Sequence, residues 1–339
     1  MIKWIGTYGG RDTGPKPVFG TMTFQIDESL HWTEHYVRHG FAVVRGLVDR
    51  GFCEEAFAEV SNMVGDERPA TESSKYDGDK LDDPTSRPAR WHRPFFEDPG
   101  RTGLTPQNSV LERLFERPSL RAAIDEMFGD AQAWDGVRNY YIFLNSYDPD
   151  SEAKLEPTGH IDFKVPTPIL YRGFTFQIAL LDTEPFSGNT TIFPGTHMSV
   201  QRMLMADPDQ RMTSQAKTEI DAVDPYEFVA GVGDVLFMHH LVYHEANPSH
   251  SLNRKPRLGI HAEAFRTRWL TEVDPDDSDL SPWQRSLALN GPYRVQRDEA
   301  VLQRSRRERV IAQIEKEQGI AVEEKWKRYS EWPDSGRGD

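Results

Sequence analysis

The chain has 339 residues, with 40 Lys and Arg against 54 Asp and Glu, and a formal net charge of −14. That length supports one large or two medium domains with a sizeable core, and the acidic balance argues against a general nucleic-acid binder, which neutralises phosphates with clustered Lys and Arg. A lone cysteine, Cys53, excludes an internal disulfide. No apolar run reaches membrane-span length, and Gly9, Gly10 and Arg11 stand where a signal peptide needs an apolar core, so a soluble cytoplasmic protein is expected.

Residues 18–26 alternate weakly, as a strand does. Glu28 to His39 predicts a short helix ended by Gly40, a usual residue just past a helix C-terminus. Phe41-Ala-Val-Val-Arg is strand-like by β-branching. Asp49 to Met63 predicts a helix, with Phe52, Ala56, Ala58, Val60 and Met63 near helical spacing. Residues 65–100 are rich in Asp, Ser, Pro, Lys and Gly. With Trp91, His92, Phe95 and Phe96 near its end, this segment is expected to be a lid that orders over a site. Asn108 to Phe128 predicts one or two helices closed by Gly129.

From Val137 the period changes to two. Val137 to Tyr147, Phe174 to Leu181, Thr190 to Phe193, Asp234 to Met238 and Arg257 to Phe265 read as strands separated by Gly, Pro, Asn and Asp turns. Short strands so punctuated predict an antiparallel sandwich or barrel. Beyond about residue 275 the strand pattern stops. Glu299 to Tyr329 predicts a charged helical appendage, with Trp269, Trp283, Trp326 and Trp332 in its neighbourhood. The expected division is 1–275 for the core and 276–339 for the extension.

Three features suggest a metal site. In Gly159-His160-Ile161-Asp162 the imidazole and the carboxylate lie two apart, so on a strand they share a face and grip one ion together. This pair alone is weak, because eleven histidines give about one His-x-Asp by chance. Gly231 to His244 runs from a Gly-Asp turn through an apolar strand to His239, His240 and His244, any of which could complete a triangular face. Two imidazoles and a carboxylate leave the opposite positions open, as non-haem Fe(II) oxygen chemistry requires. A closed zinc site calls instead for Cys or more His at finger-like spacing. Arg257 opens the strand Arg-Leu-Gly-Ile-His-Ala-Glu-Ala. A guanidinium there suits the far carboxylate of a dicarboxylate, although beside Arg254 and Lys255 it also reads as a surface residue.

Taken in order, the segment from His35 to Val48, Gly159 to Asp162, Phe176 to Asp182, Ser187-Gly-Asn, Phe193-Pro-Gly-Thr-His197, and Gly233 to His244 followed by Arg257 resemble the phytanoyl-CoA dioxygenase family of Fe(II)- and 2-oxoglutarate-dependent oxygenases. The resemblance spans roughly residues 28–268. It implies an α+β fold, a mainly β core with helices. The core would be a double-stranded β-helix (jelly-roll, cupin-like) with N-terminal helices and the C-terminal helical appendage. His160, Asp162 and His244 would be the iron ligands and carry catalysis. His239 falls on a position that is often His but does not ligate, and His240 on a variable one. Arg257 would hold the 5-carboxylate of 2-oxoglutarate, with Arg254 as a competitor. Gly259 departs from relatives that carry a small hydroxyl residue there, so a second carboxylate donor comes from elsewhere. Gln177 is a candidate for contact with the co-substrate.

The implied activity is hydroxylation of an unactivated C–H bond in a small-molecule substrate, using Fe(II), 2-oxoglutarate and O2 and releasing succinate and CO2. Halogenating relatives have a small residue at the position of Asp162, so hydroxylation is favoured over halogenation. Desaturation, ring closure and epoxidation share the same ligands. Trp91, His92, Arg93, Lys164 and Arg172 are candidate substrate contacts, and the basic ones point to an anionic group. His197 is expected to be a turn residue shaping the site's edge, His250 and His261 solvent and strand-packing residues, and Cys53 inert. The alternatives are a non-catalytic metal- or ligand-binding protein on the same fold, and a cupin-type enzyme using zinc or manganese. The tail would pack in cis or across a homodimer.

Overall fold

A computed structural model describes residues 31–66, 90–96, 109–130, 134–145, 160–161, 173–185, 188–206, 218–220, 222–246, 257–266, 272–291 and 293–294. The predicted strand at 18–26, the helix at 299–329 and most of the 65–100 lid lie outside them. Among the described residues no helix is long and apolar enough to cross a membrane.

The elements in chain order are α1 (Trp32–His39), β1 (Phe41–Val44), α2 (Arg50–Asp66), β2 (Arg90–Phe96), α3 (Val110–Phe115), α4 (Pro118–Phe128), β3 (Trp134–Asn145), β4 (Gly173–Ala179), β5 (Thr190–Ile192), α5 (Thr196–Ala206), β6 (Tyr226–Glu227), β7 (Val235–Met238), β8 (His244–Ala246), β9 (Arg257–Arg266), β10 (Glu272–Val273), α6 (Pro282–Ala288) and β11 (Tyr293–Arg294). α1 ends where Gly40 takes φ 77° and its N–H reaches Tyr36 O at 2.8 Å. In that left-handed conformation a side chain is strained. α2 starts on Asp49, whose Oδ1 accepts the Phe52 N–H at 3.1 Å. The expected helix at 108–128 is two, because Pro118 has no N–H to continue α3 and instead opens α4.

Six strands form one antiparallel sheet in the order β1-β7-β4-β9-β3-β2. Alternation along these strands gives the sheet two different faces. One face carries Ala42, Tyr140, Ile142, Phe174, Phe176, Ile178, Phe237, Leu258, Ile260, Ala262 and Ala264, and packs into the main core with Tyr36, Phe52, Leu111, Leu114, Ile124, Phe128 and Trp283 of the helices. Each large side chain so buried contributes roughly 1.5–3 kcal/mol. The opposite face presents Phe41, Ala179, Leu236 and Met238 to Ile192, Phe228 and Val242 of a smaller region. That region is built on a three-stranded antiparallel sheet, β6-β5-β8. Thr175, Gln177, Arg257 and His261 are also buried on this second face.

The result is a mixed α+β fold whose two larger antiparallel sheets are open among the described residues. Closure into a jelly roll, as expected, is not seen among the described residues. Residues 90–96, expected in the lid, are instead the edge strand β2, where Pro94 is tolerated because an edge strand has N–H groups outside the ladder. Pairing also continues past residue 275, since β10 and β11 form a two-stranded sheet beside α6. α5, which follows the Pro194-Gly195 turn, was not expected as a helix. Cys53 is fully buried, and burial, reinforced by Asp49, pushes its thiol up to about 12.

α6 begins with a capping box between Ser281 and Gln284. It seats Trp283 with no exposed surface, edge-on to Phe128, with Nε1 donating to Gly173 O at 2.8 Å. Trp283→Ala is expected to destabilise the protein by about 3–5 kcal/mol. Urea denaturation measures this, and a loss under about 1 kcal/mol would show that α6 is not part of the core.

Candidate active site

β8 is short, and its first residue pairs on both sides. Ile192 of β5 faces His244 on one edge, and His160 forms a bridge with His244 on the other. The two histidines exchange both backbone hydrogen bonds, His160 N–H to His244 O at 2.8 Å and His244 N–H to His160 O at 2.9 Å. Directly opposed residues in an antiparallel pair put their side chains on the same face. Here the ring centroids are 4.6 Å apart. His244 is buried and His160 is exposed. His244 Nδ1 lies 3.1 Å from Val242 O. The carbonyl only accepts, so the proton sits on Nδ1 and the lone pair on Nε2, the tautomer that metal-binding histidines use. Asp162 lies outside the described residues. Among the described residues no group of three or more His, Cys, Asp or Glu is placed to hold a metal.

Of the three histidines at 239–244, it is His244 that pairs with His160. The turn before it is held by Val242 N–H to His239 O, Tyr243 N–H to Thr196 Oγ1 and Phe193 N–H to Tyr243 O, at 2.9, 2.9 and 3.0 Å. The His239 ring lies instead against that of His197, with centroids 5.2 Å apart and the planes tilted by 46°. His197, expected as a turn residue, lies at the start of α5. It is buried in the first turn of α5 and donates Nε2–H to Val37 O at 3.2 Å. Burial pushes its pKa down to about 4, with the Val37 bond raising it and the charge of His39 lowering it further. His239 is held well below its ordinary value, first by burial and then by His197 and His240.

Arg257 is buried at the start of β9 rather than on the surface. Its Nη1 donates to Gly188 O at 2.9 Å, and its Nη2 to Gln177 Oε1 at 2.7 Å and Thr190 Oγ1 at 2.6 Å. The guanidinium lies 4.1 Å from the Phe143 ring centroid. Gln177 and Arg257, both expected at the site, are thus in direct contact. Thr190 joins them from the facing sheet, donating its hydroxyl to Gln177 Oε1 at 2.8 Å. Gln177 Nε2 lies 3.3 Å from His261 Nδ1, its cross-strand partner, so His261 belongs to this polar row and is more than strand packing. Asn189 fixes the turn between Gly188 and Thr190 by donating to Glu184 O at 2.7 Å and Glu227 Oε1 at 2.8 Å.

The structure accounts for the absence of a hydroxyl residue at 259. Gly259 lies directly across from Phe143. A Cβ there would stand 2.6 Å from Phe143 Cζ and 2.8 Å from Ile178 O. The ring fills the space, and Thr190 brings a hydroxyl to Arg257 from the other sheet. Sequence reasoning missed Thr190. Its only signal was a β-branched pair, Thr190-Thr191, in a strand two residues past Gly188.

No family model matches the sequence, and no curated protein matches it significantly. Solved structures do resemble the fold. The epimerase SnoN in complex with Fe3+, alpha ketoglutarate and nogalamycin RO is 19% identical, with a TM-score of 0.49 over 69% of this chain and 82% of its own. AviO1 from Streptomyces viridochromogenes Tue57 is 17% identical, with a TM-score of 0.47 over 73% of this chain and 99% of its own. HygX from Streptomyces hygroscopicus with nickel and 2-oxoglutarate bound is 15% identical, with a TM-score of 0.44 over 70% and 86%. The chemistry of the site rests on the side chains of this chain.

Gly259→Ser is expected to cost about 1–3 kcal/mol by overpacking against Phe143. Phe143→Ala in the same chain should relieve the part due to the ring and leave the part due to Ile178 O, so a double-mutant denaturation cycle reads the ring contact. A Gly259→Ser protein as stable as the parent would contradict the packing described.

Proposed function

We propose that this chain is an Fe(II)- and 2-oxoglutarate-dependent oxygenase of the phytanoyl-CoA dioxygenase type, built on a double-stranded β-helix and hydroxylating a C–H bond of a small molecule. The supporting observation is the His160–His244 pair, rings together and His244 in the ligand tautomer, in a fold that buries Arg257 between its two sheets. In this reading His160, Asp162 and His244 hold the iron and Arg257 takes the 5-carboxylate of 2-oxoglutarate. The donor set of two imidazoles and one carboxylate suits ferrous iron with open positions and departs from a closed zinc site. Bound there with 2-oxoglutarate and O2, iron supplies oxidative attack on a C–H bond, with succinate and CO2 as the other products.

The protein's own work is positional. Val242 O fixes the plane of the His244 ring. Gln177, Thr190 and Gly188 hold the guanidinium so that its remaining donors keep a fixed direction. Phe143 closes one side against water. Thr190, bonded to both Gln177 and Arg257, supplies from the other sheet the hydroxyl missing at 259 and helps hold the guanidinium toward the co-substrate carboxylate. Asp162 fills the position that halogenation needs open, so the reading is hydroxylation. Lys164 and Arg172 favour an anionic substrate group.

Anaerobic titration of the apo-protein with Fe(II) and 2-oxoglutarate is expected to develop the weak visible charge-transfer band of the chelate. His160→Ala should weaken iron binding by more than about 10–100-fold, the loss typical of a partner that only orients a ligand. Arg257→Ala should keep iron while raising the 2-oxoglutarate requirement by about 10–100-fold, the loss of charge-assisted hydrogen bonds. No band with wild-type protein would refute the oxygenase.

A further inference from the structure

Five imidazoles other than His160 and His244 gather where the end of α1 meets the turn at 239–243. His35 and His39 come from α1, His197 from α5, and His239 and His240 from the turn. Centroids are 4.6 Å apart for His35–His39 and 5.2 Å for His197–His239. The backbone stitches the same segments, with Gly195 N–H to His39 O and His239 N–H to Gly40 O, both at 2.8 Å.

The hydrogen bonds fix the protonation of the central pair. His197 donates from Nε2 to Val37 O, so Nδ1 carries the lone pair. That atom is buried with no hydrogen-bond partner among the described residues, and it stands 2.5 Å from where a Cβ of Gly40 would be. His239 accepts the Leu241 N–H at Nδ1, 3.0 Å away, so its proton is on Nε2, also buried without a partner among the described residues. A second proton on His197 would point at no acceptor among them. A second proton on His239 would set N–H against N–H at Leu241.

Among the described residues nothing nearby offsets such a charge. On α1 the neighbours are His35, Tyr36, His39, the exposed Arg38, and Glu34, which is bonded to Arg285 of α6. α5 carries Arg202, bonded to Glu219, and the turn adds His240. β1 and β7 approach this region with Phe41 and Phe237. The charges that act on the pair are those of His39, His240 and each other, all positive when protonated.

We propose that His197 and His239 form an acid-sensitive latch that holds α1 against the turn delivering His244 and releases α1 when either ring is protonated. The latch belongs to the fold around His244 and stands independently of the iron reading. The direction comes from linkage. His197 has an ordinary value of 6.5 when freed and about 4 in place, so the open form takes its proton first. The closed form is secure above 6.5 and weakens as pH falls from there toward 4. For His197 alone, opening should increase roughly 30-fold between about pH 7.5 and 5.

Amide exchange on the full, metal-free chain tests this through protection factors, which remove the intrinsic pH dependence of exchange. Amides of α1 and of 239–243 should lose protection by roughly 30-fold or more over that range while those of β9 keep theirs. Unchanged protection in α1, or an equal loss in β9, overturns the latch. The variant His197→Gln, His239→Asn retains a donor toward Val37 O and an acceptor for Leu241 N–H but no longer titrates at either position, so its α1 protection should lose the wild-type fall with pH. A folded double variant that still opens in acid also overturns it. If that variant does not fold, the ring 15N shifts of the wild type decide, because both rings must be neutral with Nε2–H at pH near 7.5 and in closed molecules at pH near 5.

Discussion

The structure depends on the strict alternation of one strand. Along β9, Leu258, Ile260, Ala262 and Ala264 point one way and are at most 1% exposed, forming the floor under the helices. Arg257, Gly259 and His261 point the other way, toward the small sheet. A slip of one residue would exchange an arginine and a histidine with aliphatic core. The pairing of β9 with both β3 and β4, unbroken from Gly259 to Ala262, removes that freedom. The same geometry that stabilises the protein therefore sets the depth and direction of the guanidinium.

Most of this scaffold was legible because β-branched and aromatic runs separated by turn residues leave few alternatives. Phe41–Val44, Gly173–Ala179, Val235–Met238 and β9 lie within a residue or two of their predicted limits. Two elements were hidden by local chemistry. Arg90–Phe96 contains a proline and charged residues, yet an edge strand accepts both. Thr196–Ala206 follows Pro-Gly, which reads as a turn and is in fact the turn that starts a helix.

The site was legible to a different extent. By residue type alone His244 stood among three candidates; the resemblance selects it, and in the structure it is the one bridged to His160, while the His239 ring lies against His197. Arg257 and Gln177 were identifiable as residue types in strands, but their contact depends on register across the sheet. Thr190 lay beyond reach because its partner comes from the opposite sheet, and no spacing in the sequence encodes that approach. Gly259 stood out as a departure from relatives, and its cause, the ring of Phe143, is again a cross-strand neighbour.

The one thiol of the chain has a practical bearing. Cys53 sits sealed between α2 and the Gly233 turn, 3.9 Å from where a Cβ of that glycine would be, and is ionised only near 12. A thiol that forms almost no thiolate at neutral pH reacts slowly with electrophiles and peroxides. The native chain is thus its own unlabelled background, and a single cysteine engineered onto the surface would accept a maleimide dye or spin probe selectively.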